Sequence, residues 1–194
     1  IGNELFSNCS KLMQISIPTS VTSIGSKAFY NCTSLKQIEI PSSVTFIESE
    51  AFSFCKSIKQ ITIPTPVTSI GSQAFYNCEL LNQINIPSSV TLIPKQCFSR
   101  CISLTKVDFP PSAVDIDEKA FEYCISLREI SLFFGNTKIH QTSFDNCKVK
   151  LIVSGSIDDI MFRNYRFIKE IVLSSSKKTI HKEQFSNSSV NQIE

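Results

Sequence analysis

The chain has 194 residues, 42% of them hydrophobic, with 19 basic and 17 acidic side chains and a formal net charge of +2. Length and apolar content suit one domain with a continuous core and argue against disorder. The balanced charge lacks the basic excess of a dedicated nucleic-acid binder, and no apolar run approaches the roughly 20 residues that cross a bilayer.

The sequence starts at Ile1 rather than Met, in the middle of a unit that reaches Phe6 and Cys9, and then repeats. Cys9, Cys32, Cys55, Cys78, Cys101, Cys124 and Cys147 recur at a constant step of 23. A constant period of this length marks a stack of like units. Phe6, Phe29, Phe52, Phe75, Phe98, Phe121 and Phe144 stand three positions before these cysteines, and Leu12, Leu35, Ile58, Leu81, Leu104 and Leu127 three after. Ile15, Ile38, Ile61, Ile84, Val107 and Ile130 follow the cysteine by six, and Ile17, Ile40, Ile63, Ile86, Phe109 and Leu132 by eight. Pro18, Pro41, Pro64, Pro87 and Pro110 come next; Ile24, Ile47, Ile70, Ile93, Ile116 and Ile139 close the unit.

Leu35-x-x-Ile38-x-Ile40 carries its inward residues at period two, which predicts a short strand. Equivalent strands are expected near 36–40, 59–63, 82–86, 105–109 and 128–132, parallel and stacked in one sheet. The proline stops each strand because it cannot donate to the ladder. Val44 and Ile47 then turn inward across the opposite side, and a short helical or irregular turn carries Ala51, Phe52 and Cys55 to the next strand. No unit can bury this apolar set alone, so neighbours must share one core. After Cys147 the pattern loosens: the step from Phe144 to Phe162 shortens to 18, Tyr165 stands in the cysteine position, and the step from Phe162 to Phe185 returns to 23. The expected organisation is one domain over 1–194, regular over 1–147 and irregular over 148–194, cut through a unit at both ends.

The pattern I-P-x-S-V-T-x-I-x-x-x-A-F-x-x-C-x-S-L-x-x-I resembles the BspA-type leucine-rich repeat, without a gap over 1–147 and loosely beyond. The resemblance implies a right-handed β/α leucine-rich-repeat solenoid of about eight 23-residue coils with a parallel sheet on its concave face. It also implies a non-catalytic recognition module of the kind found on bacterial and protozoan surfaces, associated with adhesion or host contact. It names no ligand.

The eight cysteines read as buried small hydrophobes, Cys97 standing just before Phe98 where other units have Ala28, Ala51, Ala74 and Ala120, rather than as zinc ligands, which come in tight pairs. His140 and His181 follow the closing isoleucine of their units, as does Asp158, and the bland reading is three solvated turn residues with no metal. No serine or cysteine has a histidine and an acid as companions, so no catalytic residue and no cofactor is expected. Sequons occur at Asn8, Asn31 and Asn187, two of them generated by the repeat itself.

The informative columns point outward from the strands. Five positions after the cysteines stand Gln14, Gln37, Gln60, Gln83, Lys106 and Glu129, continued by Glu170 on alignment; seven after stand Ser16, Glu39, Thr62, Asn85, Asp108 and Ser131. Gln37, Glu39, Gln60, Thr62, Gln83, Asn85, Lys106, Asp108 and Glu129 are therefore the candidate ligand contacts. An amide ladder that merely ties strands together is the competing role for the glutamines. Asp108, Asp115, Asp117, Glu118, Glu122 and Glu129 read as an acidic band. Two function classes follow: a surface module binding a protein or glycan, and an intracellular scaffold binding a partner protein through the same face. Cut ends would expose Phe6, Leu12, Ile15 and Ile17 on one side and Ile180, Phe185, Val190 and Ile193 on the other. End-to-end self-association is thus expected, unless the Phe133–Phe134 pair closes the second end.

Overall fold

A computed structural model describes residues 1–112, 114–134, 138–155, 168–173 and 192–193. Two series of parallel strands run along opposite sides of each coil. The first contains β1 (Gln14–Ser16), β3 (Gln37–Glu39), β6 (Gln83–Asn85), β8 (Lys106–Asp108), β10 (Glu129–Phe134), β11 (Val149–Gly155), β12 (Ile168–Leu173) and β13 (Gln192–Ile193). Four of the five expected strands are present as β3, β6, β8 and β10, the first three shortened at both ends and β10 running on to Phe134, while the one expected over 59–63 is reduced to a single parallel bridge between Gln60 and Gln83. Register follows the repeat: Gln14 pairs with Gln37, Ile15 with Ile38, and Gln83 with Lys106.

The second series is new relative to the sequence reading. It consists of β2 (Ser23–Ile24), β4 (Phe46–Ile47), β5 (Ser69–Ile70), β7 (Leu92–Ile93) and β9 (Asp115–Ile116), with a bridge from Ile116 to Ile139. Each rung is very short because a turn precedes it. Val21, Val44, Val67 and Val90 donate their amides to the carbonyls of Pro18, Pro41, Pro64 and Pro87 at 3.0 Å, folding the chain back immediately after each strand of the first series. Proline suits this corner, since its ring fixes φ and it needs no partner for a missing N–H.

The return path is not helical, and among the described residues there is no helix, so the β/α description of the coil is corrected to strand–turn–strand–turn. The backbone explains why. Lys27, Glu50, Gln73, Gln96 and Lys119, two positions before the phenylalanine, have φ of 54–57°, and Asn31, Phe54, Asn77, Arg100, Tyr123 and Asn146, one before the cysteine, have φ of 57–63°. A pair of left-handed residues in each turn from Lys27 to Tyr123, with one in the turn at Asn146, is incompatible with an α-helix. The amides between them alternate. Ala28, Tyr30 and Cys32 bond within the coil to Gly25, Lys27 and Phe29, while Lys27, Phe29 and Asn31 donate to Ser49, Ala51 and Ser53 of the next coil.

The core lies between the two strand series. Ile24, Phe29, Cys32, Leu35, Ile47, Phe52 and their equivalents are buried through Leu151. Phe6, Phe29, Phe52, Phe75, Phe98, Phe121 and Phe144 form one continuous stack, with centroids 5.2–5.5 Å apart and planes within 12° of parallel. Six regular turns separate Cys9 from Cys147, and β11, β12 and β13 add three further rungs to the first series. Eight full coils are not traced by the described residues. At the N-terminal end Phe6, Leu12 and Ile15 are half-buried and Ile17 is buried, a smaller exposure than expected. Ile180, Phe185 and Val190 lie outside the described residues, as do Phe162 and Tyr165.

Candidate binding faces

Period-two alternation sends the residues five and seven positions after each cysteine outward from the first strand series. Gln37, Glu39, Gln60, Thr62, Gln83, Asn85, Lys106 and Glu129 are all exposed there, and Asp108 is half-buried. The amides of Gln14, Gln37, Gln60 and Gln83 have no side-chain hydrogen bond, to one another or to anything else described, so the strand-tying amide ladder is absent from this column. Ladders of that kind occur on other faces: Gln73 Nε2 donates to Gln96 Oε1 at 2.7 Å, and Asn31 Nδ2 to Asn8 Oδ1 at 3.0 Å. Farther along, Lys106 Nζ sits 2.8 Å from Asp108 Oδ1. Strand pairing places Lys150 beside Glu129, and Glu170 beside Lys150. The alignment that put Glu170 in this column therefore holds, and Lys150, missed because its coil is short, belongs there too.

The acidic band does not assemble as one surface. Lys95 pairs with Glu118 at 2.8 Å and holds its carboxyl below the usual range. Asp117 Oδ1 accepts the amide of Glu118 at 2.6 Å, Asp115 Oδ1 accepts that of Lys138 at 2.8 Å, and Glu122 lies 3.7 Å from Lys119. These acids serve neighbouring turns on several faces.

The cysteines form a buried ladder with a bond the sequence did not reveal. The thiols of Cys32, Cys55, Cys78, Cys101, Cys124 and Cys147 each donate to the carbonyl of the phenylalanine in the preceding coil, at 3.0–3.2 Å. The same carbonyl already accepts the amide of its own coil's cysteine. A small apolar side chain with one weak donor fits this position, which accounts for cysteine over alanine. Burial pushes the Cys78 and Cys147 thiols up to about 12 and raises those of Cys97, Cys101 and Cys124. Cys9 departs from expectation: it is exposed.

His140 Nδ1 lies 2.9 Å from Thr142 Oγ1, and Asp158 and His181, its expected column neighbours, lie outside the described residues. No group of three metal-ligating side chains forms among the described residues, and no helix there is long and apolar enough to cross a membrane. Asn8 and Asn31 occupy the left-handed position before the cysteine, which asparagine tolerates better than most residues; this accounts for the recurrence of two of the sequons. Asn187 lies outside the described residues.

Stacked coils joined by parallel rungs, with every core column repeated at one spacing, define a solenoid repeat protein. The chain belongs to the BspA-type leucine-rich repeat family, whose pattern matches residues 1–128, 45–160 and 91–194. Among solved structures it is similar to the leucine-rich repeat protein TpLRR of T. pallidum, at 28% identity over 66% of this chain and 70% of that one, with a TM-score of 0.54. A leucine-rich repeat protein from Eubacterium ventriosum is 26% identical over 92% of this chain and 44% of its own, with a TM-score of 0.57. The pneumococcal vaccine antigen PcpA shares the fold at 17% identity and a TM-score of 0.54, covering 94% of this chain, which spans 63% of PcpA. No curated protein matches the chain.

Proposed function

We propose that the chain is a non-catalytic protein-binding module that recognises a protein or glycan through the outward face of the first strand series, in a protein of the surface-adhesion or host-contact kind. The observation that carries this reading is the column of exposed glutamines whose amides are left unengaged in a protein that elsewhere joins its side-chain amides coil to coil. Each amide offers two donors and an acceptor at the strand spacing, a pattern suited to extended backbone or to sugar hydroxyls. The contacts proposed are Gln37, Glu39, Gln60, Thr62, Gln83, Asn85, Lys106, Asp108 and Glu129. A right-handed coil continued to about eight units, with this face concave, is part of the same reading. Family membership supports it over catalysis.

The test compares the chain with a variant carrying Gln37→Ala, Gln60→Ala and Gln83→Ala, on a glycan array and on immobilised host-surface proteins. Loss of binding at unchanged melting temperature is expected. Equal binding by both proteins overturns the assignment of this face. Binding only to cytosolic proteins would favour the scaffold reading instead.

A further inference from the structure

Beside the sheet face lies a flank formed by the turn that links each cysteine to its strand. In the first half of the chain this flank is polar, carrying Ser10, Thr33 and Lys56 immediately after the cysteine. From the fourth coil apolar side chains join it: Leu80, two positions after Cys78, is 45% exposed, Ile102 and Ile125, immediately after Cys101 and Cys124, are 38% and 52% exposed, and Tyr123, just before Cys124, 38%. These side chains occupy neighbouring positions of three successive coils, joined by the amide of Ser103 donating to the carbonyl of Glu79 and that of Arg100 to the carbonyl of Glu122. The other exposed apolar side chains described are scattered. Phe46 and Leu92, for example, are separated in their column by Ser69. Single exposed residues are ordinary, whereas a contiguous cluster on a folded protein marks a contact surface.

Charge says what kind of contact. Three cations border the cluster. Arg100 stacks on Tyr123 with its guanidinium 4.9 Å from the ring centre. Arg128 Nη1 donates to the carbonyl of Ile125 at 2.8 Å. Lys148 shares with Arg128, Ile125 and Asn146 the lining of an open depression. None of the three forms an ion pair among the described residues. The carboxylates on the same flank are taken: Glu79 by Lys56 at 2.8 Å and Glu122 by Lys119 at 3.7 Å, and Asp145 is not free either. The rim is therefore positive and uncompensated around an apolar centre.

We infer that this flank, over coils four to six, is a second docking surface, and that its occupant is an acidic segment of a partner protein presenting bulky apolar side chains. The apolar side chains would cover Ile102, Ile125 and Leu80, and the carboxylates would meet Arg100, Arg128 and Lys148. This surface is distinct from the glutamine column and does not depend on it.

The experiment uses the full chain and three fluorescein-labelled peptides: one repeating Glu-Leu-Glu-Phe, one with Lys for every Glu, and one with Ser for Leu and Phe. Fluorescence anisotropy should show saturable binding of the first peptide only, weakening with added salt. The pair R128E and K148E should weaken that binding about tenfold and allow the Lys peptide to bind, since rim charges act by complementarity. The pair I102S and I125S should abolish binding. These positions are exposed, and unchanged melting curves will show that both variants fold. Q60A with Q83A should leave binding unchanged. The proposal is overturned if the first peptide does not bind, if the Lys peptide binds the unmodified chain equally well, or if the glutamine variant weakens binding as much as the flank variants. It is also overturned if the flank variants alter only self-association in sedimentation, which would make a second copy of the chain the occupant.

Discussion

Replacing Phe75 by leucine tests the idea that the phenylalanine stack, and not burial alone, ties coil to coil. Phe75 is fully buried and stacks on Phe52 at 5.5 Å and on Phe98 at 5.3 Å, with planes 7° and 3° from parallel. Leucine keeps most of the buried apolar volume but removes both ring pairs. Each aromatic pair contributes about 0.5–1.5 kcal/mol beyond area burial, so the loss should be about 2 kcal/mol, a melting shift of about 4–8 °C for a chain of this size. Phe6 has one ring partner, Phe29 at 5.2 Å, and is only half-buried; Phe6→Leu should cost about half as much or less. Urea and thermal unfolding would be followed by far-ultraviolet circular dichroism and by tyrosine fluorescence, whose coincidence also checks that the stack unfolds as one unit. If Phe75→Leu shifts stability by less than about 0.5 kcal/mol, or if Phe6→Leu costs as much, the rings contribute only as bulk and the stacking argument fails.

Thiol reagents should modify Cys9 quickly in the native protein and the buried cysteines only after denaturation; rapid native modification of Cys55 or Cys78 would contradict their burial. Stability should hold with rising pH until the unfolded chain's thiols ionise near 9.0 and then fall toward about 12, because Cys78 and Cys147 stay protonated in the folded state. In that window the folded state binds more protons than the unfolded one, so the slope of stability with pH is negative. Titrating unfolding free energy across the alkaline range, with a Cys78→Ala variant showing a shallower decline, measures it. Gly71→Ala should destabilise by about 1–3 kcal/mol, since its Cβ would meet the backbone of Ser49 in the preceding coil, whereas at Gly2 nothing stands within 4 Å. Equal melting temperatures for the two alanine variants would refute the close approach.

The first strand series was legible because two inward residues, such as Ile38 and Ile40, recur at period two. The second series was not, because each rung contributes one inward residue, Ile24 or Ile47, and a single apolar position has no period. The spacing of the turn residues fits a helical or an irregular path equally. Its signal was present in the asparagines at 31, 77 and 146, which favour the left-handed region, but Phe54, Arg100 and Tyr123 occupy the same position and mask it. The outward columns of the candidate face followed directly from the alternation. Lys150 escaped because the step from Glu129 to its strand partner Lys150 falls short of the regular repeat. Whether the glutamines bond to each other depends on rotamers, which spacing alone does not determine. The acidic band failed for a related reason: residues close in sequence, Asp115 to Glu122, are turned to different faces by a tight turn.

The turn ladder has a consequence for how the chain is made. In the turns, Lys27, Phe29 and Asn31 donate forward to Ser49, Ala51 and Ser53, while on the strand sides Lys36, Thr45 and Glu48 donate back to Met13, Thr22 and Ile24. During synthesis a newly emerged coil can satisfy these backward-donating amides at once against the coil already in place, whereas other strand-side amides, such as that of Ile86 to Asp108, point forward. Its turn amides must wait for the one not yet translated. Each coil therefore completes its bonding one unit behind the ribosome, and the growing end always presents a row of open turn amides to which only the next repeat, in register, supplies carbonyls.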